Sequence, residues 1–138
     1  MGKIYSIDID LNIPPTKNSI TKFLQHTHQQ RASFKLELFG NECSLDTAIK
    51  KLLSDLEPRD AWDANYDEGI LITYQGTCVT LFVFEVDGKL KLSFLASLYF
   101  WYLEYQNEEY FDFSRYLKLF LELCEGLPIA KIETCTDD

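Results

Sequence analysis

Residues 70–94 read ILITYQGTCVTLFVFEVDGKLKLSF, and this stretch decides the fold. Asp87-Gly88 is a strong two-residue hairpin signal, because a type I′ turn needs positive φ at both central positions. Gln75-Gly76 is a weaker version of the same signal. If both are two-residue turns, the register follows by counting. Ile72 then faces Val79, Ile70 faces Leu81, Val83 faces Leu92 and Leu81 faces Phe94. One face becomes Ile70, Ile72, Val79, Leu81, Val83, Leu90, Leu92 and Phe94, interrupted only by Tyr74, Thr77 and Glu85. The other mixes Thr73, Thr80, Lys89, Lys91 and Ser93 with Leu71, Phe82, Phe84 and Val86. A face that stays apolar across three strands implies a fixed register and a definite core side. The stretch is a three-stranded meander, a scaffold without chemistry of its own.

Outward from it, Tyr5, Ile7, Ile9 and Leu11 alternate with Ser6, Asp8 and Asp10, as in a half-exposed strand over residues 3–11. Pro14-Pro15 ends that strand. A helix is expected from about Asn18 to Arg31, capped by Asn18 or Thr16, with Ile20, Phe23, Leu24 and Thr27 on one side. Phe34, Leu36 and Leu38 suggest a second strand, ending at Gly40-Asn41. Ser44 can cap a second helix, whose Leu45, Ala48, Ile49, Leu52, Leu53 and Leu56 form one apolar stripe before Pro58. Residues 57–69 are a long loop.

After the meander, LASLYFWYLEY (95–105) fits a strand or a helix nearly equally, and its aromatic density favours a strand bent near Ala96-Ser97. Asp112 or Ser114 caps a last helix to about Glu125, Gly126 and Pro128 stop it, and residues 129–134 form a closing strand. Strands joined by tight turns outnumber helices. The expected fold is α+β: an antiparallel or mixed sheet built on the meander, with helices packed on one face. At 138 residues the chain is read as one domain, residues 1–138.

Ten Phe, eight Tyr and two Trp exclude global disorder, and no apolar run approaches the roughly 20 residues of a membrane helix. MGKIYSIDIDL lacks a basic region followed by an apolar block, so a cytoplasmic protein without a secretory leader is expected. Met1-Gly2 with Ser6 matches the minimal myristoylation pattern, but the same residues fit an ordinary first strand. Thirteen Lys and Arg against 22 Asp and Glu leave a net charge of −9. Such a field repels nucleic acid and anionic membrane and favours basic partners. Residues 104–138 alone hold nine acids and three bases.

The residues offer little to catalysis. Cys43, Cys78, Cys124 and Cys135 lack CxxC spacing and His at ligand offsets, so reduced thiols are expected rather than a disulfide frame or a zinc site. His26 and His28 are two apart on a helix and point to different sides. There is no HExxH, GxSxG, Walker loop or GxGxxG. Asp63, Asn65 and Asp67 match the first three ligand positions of an EF-hand loop, but Glu68 stands where glycine is needed and Tyr74 where a bidentate Glu belongs. No enzyme, cofactor or metal is expected.

What remains are two acidic–aromatic segments. The loop sets Asp60, Asp63, Asp67 and Glu68 around Trp62 and Tyr66. Glu104, Glu108, Glu109 and Asp112 sit among Tyr102, Tyr105, Tyr110 and Phe111. Acids steer a basic partner and aromatics anchor it; equally, the aromatics can fold back and leave a wet acidic rim. The closing segment DFSRYLKLFLELCEGLPI (112–129) resembles the last helix and strand entry of the small acidic immunity proteins that bacteria pair with secreted or contact-delivered toxins. That resemblance implies a tight complex with a cognate toxin domain, often a basic nuclease. Its surface would come from Asp60, Trp62, Asp63, Tyr66, Asp67 and Glu68 with Glu104, Glu108, Glu109 and Asp112. A monomer is favoured. A secretion chaperone or adaptor shares the size and acidity but usually begins with a helix and dimerises; a small-ligand or enzymatic domain would instead need a deep pocket.

Overall fold

The computed structural model describes residues 4–30, 35–38, 40–56, 69–74, 77–96 and 101–137. In chain order these form β1 (Ile4–Leu11), α1 (Lys17–Gln30), β2 (Lys35–Leu38), β3 (Asn41–Glu42), α2 (Leu45–Asp55) and β4 (Ile70–Tyr74). There follow β5 (Thr77–Val86), β6 (Lys89–Ala96), β7 (Tyr102–Tyr105), β8 (Glu108–Phe111), α3 (Phe113–Leu123) and β9 (Ile129–Asp137). The fold is α+β. Seven strands make one sheet in the order β3-β2-β4-β5-β6-β1-β9, and β7 with β8 makes a separate hairpin. Every pairing among them is antiparallel.

Asp87 and Gly88 have φ of 53° and 76°, as a type I′ turn demands, and join β5 to β6. Across that turn Val83 lies opposite Leu92 and Leu81 opposite Phe94; on the other side Ile70 lies opposite Leu81 and Ile72 opposite Val79. The same face continues outward through Leu36, opposite Ile72, and through Ile7 and Ile9, opposite Phe94 and Leu92. The row Ile70–Leu81–Phe94–Ile7 thus crosses four strands, and all four side chains are buried. Each such side chain contributes roughly 1.5–3 kcal/mol on leaving water.

The helices cover this face. Thr16 caps α1, its hydroxyl accepting from the Ser19 N–H at 3.3 Å. Ser44 caps α2, its Oγ accepting from the Thr47 N–H at 3.2 Å. Ile20, Phe23 and Leu24 of α1, Ala48, Ile49 and Leu52 of α2, and Tyr116, Leu119, Phe120 and Leu123 of α3 recur at helical spacing. All join the strand residues in one contiguous core. Phe94 is where the layers lock: Phe120 stacks on it at 4.1 Å and Phe23 meets it edge-on at 6.5 Å. Gly126, at φ 84°, turns the chain out of α3 toward β9.

The opposite face of the sheet is mixed. Ser93 donates to Asp8 Oδ1 at 2.6 Å and Lys91 lies 3.8 Å from the same carboxylate. Gly69 enters β4 so close to this face that a Cβ would collide with the Thr80 methyl and stand 2.9 Å from Phe82 Cζ. Phe82 is itself buried. Glycine is therefore required there by close approach rather than by its φ.

Several expectations lie outside the described residues: the Met1-Gly2 pattern, Phe34, the 57–68 loop, the Gln75-Gly76 turn and the bend at Ser97. The side chains of His26 and His28 also lie outside them. Among the described residues no helix is long and apolar enough to cross a membrane.

Candidate protein-binding surface

The hairpin of β7 and β8 is the feature that local reading of the sequence did not separate from its surroundings. Its two-residue turn is Gln106-Asn107, with φ of 50° and 66°. Two consecutive positive φ values are again the type I′ geometry, built here without glycine. Asn107 tolerates that conformation; Gln106 adopts it at a cost set by its Cβ. The turn leaves Tyr102 opposite Phe111, Leu103 opposite Tyr110, Glu104 opposite Glu109 and Tyr105 opposite Glu108.

The pairs alternate between two faces of the ribbon. On one face Phe111 is buried and ties the hairpin to the body, stacking on Tyr5 at 4.2 Å and on Tyr116 at 4.6 Å. Further out on that face Glu104 and Glu109 stand directly across from each other, both exposed. Like charges placed opposite in a ladder are destabilising. The other face carries Leu103, Tyr105 and Tyr110, which are 56%, 65% and 48% exposed. Glu108 is among them and accepts from the Tyr110 hydroxyl at 3.2 Å.

A single buried hydroxyl fastens this ribbon. Tyr116 of α3 has no exposed surface. Its Oη accepts from the Trp101 backbone N–H at 2.9 Å and shares a short hydrogen bond with Thr77 Oγ1 of β5. Trp101 packs on the Tyr116 ring at 4.8 Å, and the Arg115 guanidinium sits 4.0 Å above the Trp101 ring. The Trp101 carbonyl accepts from the Asp112 N–H at 3.1 Å, closing the base of the ribbon. Burial pushes the Tyr116 hydroxyl above the ordinary tyrosine value, partly offset by the bonds to Thr77 and Trp101. From Phe111 the aromatic contacts run inward through Tyr116 and Phe120 to Phe94, so the hairpin is continuous with the core.

The four described site residues thus divide. Glu104, Glu108 and Glu109 come together on the hairpin and face outward. Asp112 instead caps α3, its Oδ1 accepting from the Arg115 N–H at 3.1 Å. Asp60, Trp62, Asp63, Tyr66, Asp67 and Glu68 lie outside the described residues. Leu103 was not singled out from the sequence, because a leucine inside an aromatic run looks like core. Leu121, on the outer side of α3, is exposed as well and lines a shallow groove with Ser114, Leu117, Lys118, Glu122 and Glu125.

Among the described residues no group of three His, Cys, Asp or Glu side chains converges as a metal ion would need. A wider cleft of about 630 Å³ lies between the start of α1 and the residues after α3, lined by Thr16, Ser19, Lys22, Glu125 and Leu127 among others. Of the four thiols, Cys124 is buried and Cys135 exposed. Burial pushes Cys124 up to about 12. No protein-family model, characterised protein or solved structure matches the chain.

Proposed function

We propose that this chain is a protein-binding inhibitor of the immunity type, which neutralises a cognate, basic toxin domain through an acidic–aromatic surface. The observation that carries the reading is the β7–β8 hairpin. It holds Leu103, Tyr105 and Tyr110 out of the core beside Glu108 on one face, with Glu104 and Glu109 on the other face of the same ribbon, on a base locked by Tyr116. Apolar side chains this exposed, on a rigid mount and rimmed by charge of one sign, have the anatomy of an interface hot spot. The opposed Glu104 and Glu109 repel each other in the free protein, and a Lys or Arg from a partner relieves that cost. Asp60, Trp62, Asp63, Tyr66, Asp67 and Glu68 extend the same chemistry, with Asp112 at the foot of the hairpin.

The test is co-purification from the native source, eluted with rising salt, followed by association kinetics. A single basic partner retained to high salt is expected. Glu104→Lys with Glu109→Lys should then lower the on-rate about tenfold and flatten its salt dependence, while Tyr105→Ala mainly speeds dissociation. Association and salt slope unchanged by the charge reversals would reject the surface.

A further inference from the structure

The two edges of the seven-stranded sheet are unlike. At one end β3 offers two residues, too few to template another strand. At the other, β9 spans nine residues, pairs with β1 along one side, and has no described strand along the other. The register slips once, beside Leu11; from Lys131 to Asp137 the pairing with β1 is unbroken, with neither proline nor glycine. Residues 129–136 are all exposed. Ile132, opposite the buried Ile9, is itself 37% exposed on the face that the helices cover elsewhere.

The chemistry of this edge is self-complementary. Lys131 and Glu133 flank Ile132 with opposite charge, and they form an ion pair along the strand. Set two copies of β9 antiparallel with Ile132 opposite Ile132. Lys131 of each copy then stands opposite Glu133 of the other, and both pairs are attractive. Moving the two-fold axis by one residue would oppose Lys131 to itself or Glu133 to itself. Within one copy Glu133 also lies across from Asp8, a like-charge pair already flanked by Lys91 and Lys131. Lys131 of a second copy brings a cation to the far side of that pair. A lysine on an edge strand can instead guard against pairing, because a paired edge would desolvate it, but this arrangement sets Lys131 against a Glu133 carboxylate that offsets that cost.

We propose that β9 is a homodimerisation edge, joining two copies about a two-fold axis at Ile132 into one continuous antiparallel sheet. This replaces the monomer favoured from sequence and stands independently of the toxin-binding reading, since it uses the edge farthest along the sheet from β3 and none of the hairpin residues. A single strand pair with two exposed isoleucine bodies is a small interface, so the association belongs to the weak class.

Sedimentation velocity on the full chain, from about 1 μM to about 1 mM, should show the mean mass rising from 16.1 kDa toward twice that value. Lys131→Glu and Glu133→Lys, each checked for native circular dichroism, should each remain monomeric. Mixed together they should form a heterodimer, because one variant then presents only acids at these two positions and the other only bases. Ile132→Cys in a Cys135→Ser background should give a disulfide-linked dimer on mild oxidation. A wild-type mass of one chain throughout, dimers that persist in both single variants, a mixture that stays monomeric, or no cross-link at position 132 would each overturn the proposal.

Discussion

Replacing Tyr116 with phenylalanine removes one oxygen from the centre of the molecule and leaves the ring packing in place. The cost should far exceed the loss of one ordinary hydrogen bond. Two groups lose a bond at once: the Thr77 hydroxyl, in a residue 2% exposed, and the Trp101 N–H at the root of β7. Taking a bond from a buried polar group costs about 1–3 kcal/mol. Trp101 is only half-buried and sits at the low end of that range, which puts the total at about 2–4 kcal/mol. Thr77→Val alone removes one bond from Tyr116 but leaves the one to Trp101, so about 1–2 kcal/mol is expected. In the double variant no Thr77 hydroxyl is there to lose its bond, and the two effects should fall short of their sum by about 1 kcal/mol.

Urea unfolding with unchanged m-values measures all three, and amide exchange at Trp101 should accelerate in Tyr116→Phe. The alkaline limb provides a further check. Burial holds the Tyr116 hydroxyl above its ordinary 10.0. The protonated form is therefore the native one, and its contribution is complete below about pH 10 and lost as pH rises through the higher folded value. Tyr116→Phe should lack this loss. A destabilisation below about 0.5 kcal/mol, or Trp101 exchange as slow as in the wild type, would refute the view that this hydroxyl fastens the hairpin.

Burial and close approach set three further outcomes. Cys124, raised from 9.0 to about 12 by desolvation, contributes stability that is complete below about pH 9 and lost between there and about pH 12. Thiol labelling at about pH 8 should modify Cys135 first, Cys43 and Cys78 more slowly, and Cys124 only on unfolding; Cys124 labelling as fast as Cys135 would contradict the packing of the end of α3. Gly69→Ala should cost about 1–3 kcal/mol by forcing its Cβ into Thr80 and the buried Phe82 ring. Thr80→Ala should recover part of that loss, and a urea midpoint unmoved by Gly69→Ala would show that the approach is looser than described.

How far local sequence led can be judged at particular turns. Asp87-Gly88 carries its geometry in its residue types, so counting back from it places Val83 across from Leu92 and Leu81 across from Phe94, as found. Ser44 announces α2 because a hydroxyl before an apolar stripe favours the cap position, and of the two caps that the sequence offered for α3, Asp112 and Ser114, it is Asp112 that caps. Gln106-Asn107 performs the same turn as Asp87-Gly88 but without glycine, and it follows directly on residues 95–105, where periods of two and 3.6 both fit. Asn107 is the one residue there whose type favours a positive φ. The acids Glu104, Glu108 and Glu109 were legible as one acidic–aromatic segment, but Glu104 directly across from Glu109 was not, because that pairing depends on the turn. Tyr116 and Thr77 are 39 positions apart, and no local pattern links them. Strand β3 is too short to leave a signature; the Cys43 N–H bonded to the Leu36 carbonyl marks it only in three dimensions.

The place of β1 in the sheet bears on how the molecule is made. It is synthesised before every other described strand, yet its neighbours are β6 and β9, so Ile7 waits for Phe94 on one side and for Thr134 on the other. Until β9 follows, half of the hydrogen-bonding groups of β1 have no partner within the chain. Contacts of such long sequence separation are slow to form, and a nascent chain holding an open strand edge is vulnerable to pairing with its neighbours. Final closure of the sheet thus falls to the last described strand, and a polypeptide interrupted before Ile129 would carry an unfinished edge next to its core.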